Sequence, residues 1–134
     1  MSKNNMTAAD FVAQQAKRRT HKQEAEGIRH LAVLHGWKAY LLHQSGRIHG
    51  SGGVPDIFLI SSPGDMLWWE VKTVSSKLLP SQDDFLLRVA FSNGLAGCGT
   101  ADDFISFLGA SGNEDRARLL NTLREKYARK RRTQ

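Results

Sequence analysis

Two apolar, β-rich runs separated by a turn constrain this chain more than any other feature. VPDIFLI (54–60) and MLWWEVKTV (66–74) flank SSPGD (61–65), a turn by composition. The three pieces read as a β-hairpin. Counting outward from the turn sets Ile60 opposite Met66, Phe58 opposite Trp68 and Asp56 opposite Glu70. Opposed residues of an antiparallel pair hold their Cβ atoms about 4.5–5.5 Å apart. Residues two apart share a face, so Lys72 stands beside Glu70. Three ionisable groups converge at the hairpin end away from the turn.

The rest of the chain supplies layers for this hairpin. Thr7 with Asp10 and Thr20 with Gln23 each carry the spacing of a helix-opening capping box. Ile28, Leu31 and Leu34 recur at helical spacing until Gly36, and Gly27 leaves open whether the first two segments are one kinked helix or two. WKAYLLHQ (37–44) reads as a strand, and SGRIHGSGG (45–53) as a Gly-rich loop. PSQDDFLLRVAFSNG (80–94) is expected as a helix capped by Ser81, with Asn93-Gly94 as its stop. LAGCG (95–99) reads as a short buried strand, Thr100 and Asp103 open a further helix, and a basic helix or tail closes the chain over 110–134. The order predicts an α/β layer fold: a three-stranded antiparallel meander plus a fourth strand, flanked by helices. At 134 residues with 40% hydrophobic residues, this is the size of a single domain with one core.

Asp56 and Glu70 directly opposed would repel one another across the sheet. A divalent cation relieves that repulsion, and hard carboxylate ligands on adjacent strands suit Mg²⁺ or Mn²⁺. The chemistry that follows is phosphodiester hydrolysis, with Lys72 positioning the attacking water or stabilising charge on the phosphate. Glu24 shares a helical face with Ile28 and Leu31 and is a candidate fourth member; Glu26, on another face, is the second choice. Taken singly, each feature also has a plain structural explanation, an exposed strand edge or a Pro-Asp turn. Their joint placement in one hairpin favours a site.

GGVPDIFLI, WWEVK and LLPSQDDFLLRVAFSNG together resemble the core of the VRR-NUC domain, a branch of the PD-(D/E)xK nuclease superfamily, over about residues 20–109. The ordered set of G-x-P-D, E-x-K and an S-x-Q-type motif opening the next helix carries the resemblance. It implies a restriction-endonuclease-like core and a Mg²⁺- or Mn²⁺-dependent nuclease. In that reading Asp56, Glu70, the backbone carbonyl of Val71 and Glu24 are metal ligands, Lys72 is the catalytic lysine and Gln82 supports the active site. Stand-alone viral-type members are associated with homodimers that cut branched DNA such as four-way (Holliday) junctions. The resemblance therefore implies a branched-DNA substrate, a homodimer and the cytoplasm of a bacterial or phage-infected cell. Where members often carry a Val-Arg-Arg-like sequence in the last core strand, this chain has LAGCGTADD.

The charge balance fits a polyanionic partner. Net charge is +6 and the pI is about 9.8. Arg18, Arg19 and Lys22 in AKRRTHK, with Lys77 after the hairpin, are candidate DNA contacts, as are Arg47 and His49 in the Gly-rich loop unless they are ordinary loop surface. The run REKYARKRR (124–132) either grips phosphate or is a solvated tail. Trp68 and Trp69 fall on opposite strand faces, so at least one is expected in the core. Cys98 is the single cysteine, no apolar run has the length to span a bilayer, and the N-terminus lacks the layout of a secretory signal, all of which point to a reducing cytoplasm. Rival readings are a flap or single-strand nuclease, a restriction-like enzyme, and a nuclease-like fold that binds nucleic acid or protein without cutting.

Overall fold

The computed structural model describes residues 7–11, 19–42 and 53–128. In chain order the elements are α1 (His21–Leu34), β1 (Trp37–Leu41), β2 (Ile57–Ser61), β3 (Met66–Val71), α2 (Pro80–Phe91), β4 (Leu95–Gly99), α3 (Ala101–Leu108) and α4 (Asn113–Ala128). The sheet order is β1-β2-β3-β4, with the first three strands antiparallel and β4 parallel to β3. This is the expected α/β architecture, a mixed four-stranded sheet flanked by helices and compatible with a restriction-endonuclease-like core.

The turn chemistry sets the register. Ile60 pairs with Met66 and Phe58 with Trp68, as counting from SSPGD predicts, and Gly64 takes the positive φ of the turn. With a side-chain period of two, one sheet face then receives Ile57, Leu59, Leu67, Trp69 and Val71, all almost fully buried. Ile28 and Ala32 of α1 and Phe104 and Phe107 of α3 belong to the same core. Trp69 is the core tryptophan: its ring meets Phe104 and Phe107 edge-on, and its Nε1 donates to the Gly99 carbonyl. A Cβ on Gly97 would stand 2.3 Å from that ring, so only glycine lets β4 lie there.

Parallel neighbours cannot be joined by a tight turn, and α2 provides the crossover from β3 to β4. Its cap differs from the sequence expectation. Leu79, not Ser81, is the N-cap, Pro80 occupies the first turn, and Gln82 reaches back so that its Oε1 accepts from the Leu79 amide. Proline at the first helical position is preorganised and lacks only an amide that would be unpaired anyway. Thr20 with Gln23 and Thr100 with Asp103 form the expected capping boxes of α1 and α3.

Helix α4 packs along β4. Arg124 grips Asp83 of α2 through two hydrogen bonds of 2.6 and 2.9 Å, while the Tyr127 hydroxyl donates to the buried Asp103 of α3. None of the described helices is long and apolar enough to cross a membrane.

Candidate active site

The ladder between β2 and β3 ends at Ile57 opposite Trp69, and Asp56 lies one residue beyond it. Its backbone still belongs to the sheet edge, because its carbonyl accepts from the Leu42 amide at 2.7 Å. Its side chain turns toward β3, where Oδ2 accepts from the Val71 amide at 2.9 Å. This brings the Asp56 carboxyl into hydrogen-bonding contact with Glu70. The opposition read from the turn count is therefore present in three dimensions.

Glu70 and Lys72 are both buried, with side chains only 5% and 8% exposed, and lie 3.5 Å apart. The Lys72 Nζ also donates to the Lys77 carbonyl at 3.0 Å and to Gln82 Oε1 at 2.8 Å. Its three protons thus have three acceptors, which holds the ammonium at one point between the strand and the first turn of α2. Gln82 is the residue that ties helix to site, since the same Oε1 caps α2. On the other flank Gly53 has φ +84°, and a Cβ there would stand 2.3 Å from the Ser81 carbonyl oxygen. The end of the Gly-rich loop is pressed against the helix that carries Gln82.

Burial first, and the neighbouring Asp56 second, push the Glu70 carboxyl from its ordinary 4.5 up to about 8, against the opposing pull of Lys72. The pull of Lys72 does not offset burial and Asp56 together at Glu70. Cys98, opposite Glu70 on β4, is pushed up to about 12 by burial and then by Glu70, which leaves it an inert thiol. Two adjacent carboxyls, one of them held up to about 8, are the feature that fits a divalent cation. Asp56, Glu70 and the Val71 carbonyl are all oxygen donors, the type that Mg²⁺ and Mn²⁺ take.

Glu24 is buried, as its helical face predicts, and two partners hold its carboxylate. Its Oε1 accepts from the Ala101 amide at 2.9 Å and its Oε2 from Arg19 Nε at 3.1 Å. The reason is physical: the unpaired first amides of α3 carry partial positive charge and draw the carboxylate. Glu24→Ala is accordingly expected to lower unfolding free energy by about 2–3 kcal/mol, measured by urea denaturation, through a lost cap and ion pair. The arrangement at Asp56, Glu70 and Lys72 should survive that loss.

The basic candidates divide. Arg19 bridges Glu24 and Asp102, joining α1 to α3 rather than standing free for phosphate. Lys22 lines a cleft of about 430 Å³ beside Asp56, together with His21, Glu26 and Leu41. Lys77 contributes its carbonyl to Lys72. Arg18, Arg47 and His49 lie outside the described residues.

Sequence reasoning missed one residue. His21 Nε2 lies 3.3 Å from Asp56 Oδ2. Its seven-residue spacing from Ile28 places it on the sheet-facing stripe, a signal that is present in the sequence. The chain matches no protein-family model, no curated protein and no solved structure.

Proposed function

We propose that this chain is a divalent-metal-dependent DNA endonuclease of the VRR-NUC type within the PD-(D/E)xK superfamily, acting in the cytoplasm as a homodimer on branched DNA. The observation that carries the reading is the buried Glu70, its carboxyl raised by burial and by the half-buried Asp56, beside the fixed ammonium of Lys72. Such a pair is an unfavourable arrangement for a protein that binds nothing there.

Asp56, Glu70 and the Val71 carbonyl would hold Mg²⁺ or Mn²⁺. When bound, such an ion polarises a phosphoryl oxygen and lowers the pKa of a coordinated water. Lys72 offsets charge that develops on the phosphate, and Gln82 keeps the lysine aimed. The first turns of α1 and α2 flank the site through His21 and Gln82, so their positive ends favour an anionic substrate. A twofold dimer would present two such sites to opposing strands of a junction.

The test incubates purified protein with labelled four-way junction, flap, duplex and single-stranded DNA in Mg²⁺, Mn²⁺ or EDTA. Metal-dependent cleavage fastest on the junction is the expected result. Preference for the flap or the single strand selects that nuclease reading instead. Binding of all four with no cleavage in either metal identifies a non-cleaving module.

A further inference from the structure

The sheet face opposite the core carries an organised set of aromatic rings. Tyr40 pairs with Phe58, and Phe58 with Trp68, so the three lie in one row across β1, β2 and β3. Ring centroids are 6.5 Å apart for Tyr40–Phe58, 4.5 Å for Phe58–Trp68 and 5.3 Å for Trp68–Phe85, the last contributed by α2. The row runs out from beneath α2 and ends at Tyr40, which is 44% exposed. The Lys38 ammonium sits 5.7 Å from the Tyr40 ring centroid.

Its position relative to the candidate active site is set by the strand period. Phe58 is two residues from Asp56 and Trp68 two from Glu70, so rings and carboxyls occupy alternate positions of the same two strands on the same face. Two residues of strand span about 7 Å. That separation is comparable to one nucleotide of an extended strand. A protein with a net charge of +6 and a lysine beside its outermost ring meets a phosphate-bearing chain with complementary charge.

We infer that this sheet face stacks bases left exposed at a DNA branch point, on a strand leading into the Asp56–Glu70 site, with Tyr40 as the outer platform. The inference rests on the nuclease reading and deepens it, because selectivity for branched DNA then comes from bases that lose a stacking neighbour where duplex arms part beside the scissile bond. Stacking suits such a substrate because every base has a π-face, which makes recognition tolerant of sequence.

The experiment measures binding of the full-length protein in EDTA, with no cleavage needed. The probes are a fluorescein-labelled oligothymidylate of about ten nucleotides and an abasic strand of equal length, a size suited to one stacking groove. The thymidylate is expected to bind at least about ten-fold tighter than the abasic strand, and Tyr40→Ala to remove about ten-fold of affinity from the thymidylate alone. Tyr40→Phe, which keeps the ring, should retain the preference. Equal binding of the two strands overturns the inference, as does a thymidylate preference that Tyr40→Ala leaves intact. So does a wild-type dimer that Tyr40→Ala converts to monomer in light scattering without base-dependent binding, which would assign the face to a second copy. Base-dependent binding by a protein that never cuts in Mg²⁺ or Mn²⁺ removes the nuclease reading and leaves the stacking face standing. Cutting without base dependence does the reverse.

Discussion

Lys72→Ala is expected to reduce metal-dependent cleavage by on the order of 10²–10³-fold or more, while junction binding stays within a few-fold of wild type. The asymmetry follows from where the ammonium sits. It is buried and holds Glu70, the Lys77 carbonyl and Gln82 at once, so it contributes little to the exposed surface that grips phosphate at a distance. Among the described residues it is the cation in contact with Glu70, and its removal takes that charge away from two adjacent carboxyls. Cleavage is measured on a labelled junction in Mn²⁺, and binding by anisotropy in EDTA. Thermal unfolding of the same preparations separates lost chemistry from lost fold. Lys72→Met, which keeps the aliphatic stem packed, should lose cleavage to the same extent. Wild-type rates in either variant would remove Lys72 from the mechanism.

How far each feature is legible in the sequence depends on the range of the interactions that decide it. The hairpin register depends on a five-residue turn and a period of two, both local, and so the approach of Asp56 to Glu70 can be counted out from SSPGD. The capping boxes at Thr20 and Thr100 are likewise settled within four residues. Leu79 in place of Ser81 is not legible, because Gln82 resembles an ordinary surface residue until its partners at Leu79 and Lys72 are known. Glu24 marks the clearest boundary. Its periodicity correctly places it inside, but its partner there, the first amide of α3, is a residue 77 positions away. The aromatic row is half legible: opposition of Phe58 and Trp68 follows from the turn, whereas the addition of Tyr40 requires β1 to pair with β2 across a loop whose register no local rule sets. His21 is open to the same helical-face argument that selects Glu24. The chemistry of a hard cation turns that argument toward the glutamate, because a carboxylate suits such an ion better than an imidazole does.

The stability of the metal-free protein should fall as pH rises from about 5 to 8.5. Glu70 is the cause. Burial and Asp56 lift its carboxyl from 4.5 to about 8, so across that window the folded chain holds a proton that the unfolded chain has released. The state that binds more protons is disfavoured as protons are withdrawn, and stability declines until the folded carboxyl has also ionised. Glu70→Gln removes this group from the titration. In EDTA at pH 8 it is expected to raise the melting temperature by on the order of 10 °C and to flatten the dependence over the window. A cation bound at the pair acts in the opposite sense, because it takes the place of the proton and binds best once both carboxyls are ionised. Mn²⁺ should therefore stabilise wild type more at pH 8 than at pH 5 and leave Glu70→Gln nearly unmoved. Thermal unfolding across the pH series, with and without metal, reads both effects. A flat wild-type profile, or one that Glu70→Gln leaves unchanged, would show that Asp56 and Glu70 are not competing for a proton. The physical case for a cation between them would then be gone, whatever the protein does to DNA.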